Sequence, residues 1–154
     1  MGLLNKIFCR KECTSVATEN HSDIFTNLSN SQKFAMFTML SSLAAAPSDI
    51  ERAKITQKMI FTDSSMMGLT ESMLVNYIRT HNRPTIPEMM TVLSSIKNKS
   101  VLEWLMYCGF GIITVNRNEK ALNLYYNWWN QLGYDYQDVN NIILKVEKLC
   151  SIMK

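Results

Sequence analysis

Apolar residues return along this chain at intervals of three and four, and small polar residues stand where each such stretch begins. The sharpest start signal is a small polar residue followed three positions later by Glu, at Ser48–Glu51, Thr85–Glu88, Ser100–Glu103 and Asn116–Glu119. The first side chain can accept a hydrogen bond from the free N–H groups of a first helical turn, and the Glu can reach back to the cap's own N–H. The spacing predicts about seven helices. Ser29-Asn30-Ser31 caps the first, which runs to about Ala46 with Phe37, Leu40 and Ala44 on one face and Phe34 and Met36 beside it. The second covers roughly 49–62 with Ile50, Ala53, Ile55, Met59 and Ile60, and residues 63–68 form a connection.

A short third helix follows Thr70, with Met73, Leu74, Tyr77 and Ile78 at core spacing, until the residues before Pro84 break it. Pro87 suits the opening turn of the fourth, whose face is Ile86, Met90, Leu93 and Ile96 or Lys97. Ser100 opens the fifth (Leu102, Leu105, Met106, Phe110, Ile113), and Asn116 opens the sixth (Leu122, Tyr125, Trp129, Leu132). Gly133 fits the sixth helix as a left-handed stop. Asp135 caps the seventh, where Val139, Ile142, Ile143, Val146 and Leu149 trace the cleanest stripe of all. No segment alternates with period two, so the fold class expected is all-α. The halves Phe34–Ile78 and Val101–Val146 repeat the same order of helices and turns with poor residue identity, which suggests two related halves in one bundle.

Composition narrows the function classes. A net charge of +3 over 154 residues implies no polyanionic partner, and apolar residues at 47% supply a sizeable core. Residues 1–22 read as an N-terminal segment and linker, and 23–154 as the all-α domain. Within 1–13, Leu3, Leu4, Ile7 and Phe8 share a helical stripe beside Lys6, Arg10 and Lys11. That stripe suits docking on the domain itself or on a partner; a weak membrane-surface contact is the alternative. No segment is apolar for long enough to span a bilayer or to serve as a secretory signal, which points to the cytoplasm.

Candidate chemistry is sparse. Cys108 and Cys150 lie in apolar stretches and pack as small hydrophobes, while Cys9 and Cys13 with His21 fall short of a zinc ligand set. His21 and His81 both sit in expected loops, and no phosphate-binding, zinc-protease or serine-elbow motif occurs, so no catalytic residue, metal site or cofactor is expected. Arg79, Arg83, Lys97, Lys99, Arg117 and Lys120 gather near helix junctions. A helix-turn-helix nucleic-acid binder would want them on one recognition helix, and they read better as a solvated rim. The methionines, Met36, Met39, Met66, Met67, Met89 and Met90 among them, either fill an irregular core or line an adaptable groove.

The aromatics are the strongest site signal. All three tryptophans, Trp104, Trp128 and Trp129, and five of the six tyrosines fall between 104 and 136. Tyr125, Tyr126, Trp128 and Trp129 cover well over half the circumference of the sixth helix and cannot all face one core. Tyr125 and Trp129 belong to the core side. Tyr126 and Trp128 must be partly exposed or covered by another element, and with Trp104 and Tyr107 they are the candidate contacts for a protein partner or a second copy.

The stretch Gly111-Ile-Ile-Thr-Val-Asn-Arg-Asn-Glu-Lys-Ala-Leu, followed by Gln131-Leu-Gly-Tyr-Asp-Tyr-Gln-Asp-Val-Asn-Asn-Ile, resembles the repeated unit of the tellurite-resistance TerB-like family. Glu119, Leu132, Gly133, Asp138 and Val139 stand where that pattern has similar residues. The resemblance implies an all-α, stress-related bacterial domain over roughly residues 30–150. The family's Asp-Gly turn is associated with binding metal, but this chain has Thr114-Val115-Asn116 and Ala45-Ala46-Pro47 at the two turns. Hard cations need several charged oxygens, so the metal site is expected to be lost. The function expected is a non-catalytic cytoplasmic interaction module.

Overall fold

The computed structural model describes residues 24–45, 49–80 and 84–152. It is an all-α bundle, and no strand occurs among the described residues. After a helical turn at residues 24–26 come α1 (Asn30–Ala44), α2 (Ile50–Met66), α3 (Glu71–Thr80), α4 (Ile86–Ser94), α5 (Lys99–Asn116), α6 (Glu119–Gln131) and α7 (Tyr136–Ile152).

Local chemistry sets the ends of these helices. Ser29 and Gln32 form a full capping box on α1: Gln32 N–H donates to Ser29 Oγ at 3.1 Å, and Ser29 N–H donates to Gln32 Oε1 at 2.9 Å. Asp135 and Asp138 do the same for α7, at 2.8 and 3.1 Å. Thr85 caps α4 as its spacing to Glu88 predicts. Two other start signals are displaced by two residues: Asn98, not Ser100, caps α5, and Asn118, not Asn116, caps α6. Asp49 caps α2, while Ser48 lies outside the described residues, as do Ala46 and Pro47. Gly133 has φ +99° and Gly68 has φ +86°, the left-handed geometry that a glycine adopts without strain.

The centre of the bundle is the crossing of α1 and α5, and α2 and α6 each pack against both of them. α4 lies along α1, and α7 lies against α5 and α6. The crossing is tight at Gly109, where an added Cβ would stand 3.0 Å from Tyr125 Cε2 and 3.2 Å from Leu43 Cδ1. At its end, the buried Asn116 side chain donates to Leu43 O at 2.9 Å, pairing one of the carbonyls that the last turn of α1 leaves open.

Burial corrects several helix faces. The α7 stripe faces inward at Val139 and Ile143, with Ile142 and Val146 half-buried, but Leu149 is exposed. Leu122, Ile78, Ile86 and Ile50 are exposed rather than in the core, because no neighbouring helix reaches their side of the element. α2 does not stop at residue 62 but continues through Met66, and Asp63 and Ser64 are fully buried rather than part of a connection.

Candidate functional site

The aromatic stretch on α6 is built inward. α6 touches α1, α5 and α7, so side chains over most of its circumference find cover. Tyr125 and Trp129 are fully buried, and their rings meet edge to face with centroids 6.4 Å apart. Tyr125 O–H donates to Met106 O on α5 at 2.6 Å. Burial, with smaller contributions from Tyr126 and Cys108 nearby, raises the Tyr125 phenol well above its usual range, so it stays a neutral donor at ordinary pH.

Trp128 is also buried, at 2% exposure, and Tyr107 at 5%. Of the two outcomes open to Trp128, exposure or cover, the structure takes the second. Neither side chain can meet a partner unless the bundle opens. Tyr126 is half-buried: its O–H donates to Asn140 Oδ1 at 2.9 Å, and its ring lies 4.8 Å from that of Tyr136. Burial first, and Tyr136 second, raise its phenol. Trp104 is half-buried with its ring 4.8 Å from Phe25 in a T-shaped contact. The four candidate contacts therefore fasten α5, α6, α7 and the entering chain to one another, and they do not form one open face.

An open concave site lies elsewhere, between α1, α3 and α4. It encloses about 510 Å³. Phe34 and Tyr77 stack face to face in its wall, centroids 4.2 Å apart and 7° from parallel. Met73, Met89 and Val92 complete apolar walls, and Asn30, Asn76 and Glu88 stand on the rim. Gln32 Nε2 donates to Ser95 Oγ at 3.1 Å, tying the start of α1 to the end of α4. α3 itself touches the rest of the bundle only lightly. Its one fully buried side chain is Leu74, while Val75 (45% exposed) and Ile78 (54%) point into solvent without lining the groove.

The methionines divide accordingly. Met36, Met39, Met67 and Met89 are buried, Met90 nearly so and Met66 half-buried, which is core filling; Met73 and Met89 alone among the described methionines line the groove. Sequence spacing brings out Met73 and Tyr77 as apolar positions of the third helix. The contact of Tyr77 with Phe34 joins residues 43 apart, and no local pattern carries it.

The basic residues do not form one patch. Arg79, Lys97, Lys99, Arg117 and Lys120 are all exposed, but Lys97 and Lys99 flank the start of α5 while Arg117 and Lys120 lie beyond its end. An 18-residue helix, about 27 Å long, separates the two pairs. Arg83, His81, His21, Cys9, Cys13 and the stripe of residues 1–13 lie outside the described residues. Cys108 is buried, as expected of a small hydrophobe; of the Cys150 side chain nothing is described.

The positions that carry the TerB-like resemblance do structural work here. Glu119 sits in the first turn of α6, Leu132 and Gly133 end it, Asp138 completes the α7 cap, and Val139 is fully buried. At the turn where the family has its acid, Asn116 is spent on Leu43 O, and Asp49 is spent on the α2 cap. Among the described residues no cluster of three His, Cys, Asp or Glu could hold a metal ion, and no helix is long and apolar enough to cross a membrane. No protein-family model matches the chain, and no curated protein or solved structure matches it.

Proposed function

We propose that this chain is a non-catalytic, cytoplasmic protein-interaction module of TerB-like architecture, serving a stress-related process, whose contact face is the α3 side of the bundle. One observation carries the reading: α3 is an amphipathic helix whose apolar face is only partly used by its own domain. Leu74 is buried and Val75 and Ile78 stay in solvent, while Met73 and Tyr77 on another side of the same helix wall an apolar groove with Phe34 and Val92. A groove with adaptable methionine walls beside a lightly packed helix suits a partner helix laid along it. The aromatic residues of α5 and α6 support the rigid frame behind that face.

The test is a paired capture experiment with the native chain and a Val75→Gln/Ile78→Gln variant. Gln keeps helix propensity at both positions while removing the apolar area. The expected result is a partner held by the native chain and lost by the variant, with an unchanged melting midpoint. A partner held equally by both, or a native chain that recovers none and is monomeric by light scattering, removes the reading.

A further inference from the structure

We infer that the exposed strip of α3 around Val75 binds the same strip of a second copy of this chain, the two helices running antiparallel about a two-fold axis at Val75. This rests on the α3 side of the bundle being the contact face, and it names what meets that face. Glu71, Val75 and Arg79 border one hollow, and with Ile78 they are all exposed. At about 100° per residue, Glu71 and Arg79 lie about 40° to either side of Val75, and Ile78 about 60° from it, so the four share one face. Met73 and Tyr77 stand two residues to either side of Val75, about 160° round the helix. The groove they wall therefore opens on the opposite side of α3 and takes no part in the pairing.

Charge selects a second copy as the occupant. Glu71 stands in the first turn of α3 and Arg79 in the last, about 12 Å apart along the axis. That spacing is well beyond the three or four residues at which helix side chains pair, and neither makes an ion pair with another described residue. A helix favours an acid at its start and a base at its end through its own dipole. Turned against itself, the same order becomes self-complementary. With Val75 of the two copies side by side, Glu71 of each comes level with Arg79 of the other. A parallel pair would instead set Glu71 against Glu71 and Arg79 against Arg79. Two-fold symmetry makes each contact twice, so the antiparallel pair gains two opposite-charge contacts around an apolar centre of Val75 and Ile78. The apolar area supplies attraction, and the charges fix direction and register. α3 is about 15 Å long, so the pair buries less than the about 1,200 Å² of a standard interface. The association is therefore weak and follows protein concentration.

The test follows dimerisation of the full chain by sedimentation over a wide range of concentration. It compares the native protein, Glu71→Arg, Arg79→Glu, and an equal mixture of the two variants. The native chain should pass from monomer to dimer as concentration rises. Each variant alone sets two like-charge contacts at the interface and should dimerise at least about tenfold more weakly. In the mixture one variant is positive at both ends of the strip and the other negative at both, so the opposite-charge contacts return and the affinity should recover to near the native value. Mixing leaves each chain's own fold as it was, so the recovery does not come from repair of a damaged helix. A native chain that stays monomeric throughout overturns the inference. So do single variants that dimerise as tightly as the native chain, or a mixture no tighter than either variant alone. Unchanged single variants with a mixture tighter than native would set the helices parallel, and they also overturn it. None of these failures decides whether a different protein is captured through Val75 and Ile78, so the two readings fall separately.

Discussion

α3 and α7 each follow a pair of helices that pack on one another, and both carry an amphipathic pattern. Their fates differ. α7 buries Val139 and Ile143, packs on both α5 and α6, and is fastened by the Tyr126–Asn140 hydrogen bond and by the Lys145–Glu103 ion pair. α3 fully buries Leu74 alone and leans on the bundle through Met73 and the Tyr77–Phe34 stack. A ten-residue helix is marginal without tertiary support, so α3 depends on those few contacts. The lesson is that an apolar stripe states a capacity to bury area, and the surrounding helices decide how much of it is used. Some is left over on both helices, at Val75 and Ile78 on α3 and at Leu144 and Leu149 on α7, but only α3 is left with so little buried beneath it.

The largest effect should come from emptying the frame behind α7. Trp129→Ala removes a fully buried indole between α6 and its neighbours and should cost about 3–5 kcal/mol, a large part of a domain's typical stability. Urea unfolding monitored by circular dichroism should show a single transition at a much lower midpoint. Leu74→Ala deletes an equally buried side chain, but α3 can detach while the rest persists, so its global cost should be nearer about 1–2 kcal/mol. Equal losses at the two sites would mean that α3 is as integral to the fold as α6.

High pH should act on the same side of the molecule. Burial raises the Tyr125 phenol, and Tyr126 and Tyr134 are raised to a lesser degree, each with burial as the leading cause. In the unfolded chain these phenols ionise near pH 10, while the folded state still holds their protons. The native state then binds more protons than the unfolded one, so stability is intact below about pH 10 and falls as pH rises above it. Tyr125→Phe should flatten that fall, although loss of the bond to Met106 O makes the variant about 1 kcal/mol less stable at pH 7. An unchanged alkaline slope in the variant would remove Tyr125 as its source.

How much of this could be read in the chain follows from which signals are local. The order of the helices, the Thr85 and Asp135 caps, the Gly133 stop and the inward side of Tyr125 and Trp129 all follow from residues a few positions apart. Asn116 and Ser100 misplace two helix starts because a polar residue three before Glu marks a possible cap. The cap actually used, at Asn118 or Asn98, sits where the chain must turn to pack. Asn116 is instead needed inside, against Leu43. Likewise Trp128 and Tyr126 can be recognised as needing cover, but the grip of α1, α5 and α7 around α6 is a property of the assembled bundle. The groove is the extreme case: Phe34, Tyr77 and Met89 become one surface only after three helices have met.

The finest probe of the difference between α3 and α7 is therefore the contact that joins α3 to α1. Phe34→Ala removes the parallel ring beneath Tyr77, a pairing worth about 0.5–1.5 kcal/mol beyond the area it buries. Phe34 is half-buried on the groove wall, so the change should leave the α1 and α5 crossing intact and weaken mainly the docking of α3. Hydrogen exchange should quicken by up to about tenfold over residues 71–80, since a tenfold change corresponds to about 1.4 kcal/mol, and remain unchanged over residues 136–149. If the two regions quickened together, Phe34 would be holding the whole domain, and α3 would lose its standing as a separately displaceable helix. If neither moved, Leu74 and Met73 alone would account for its attachment, and the stack would serve only to shape the groove.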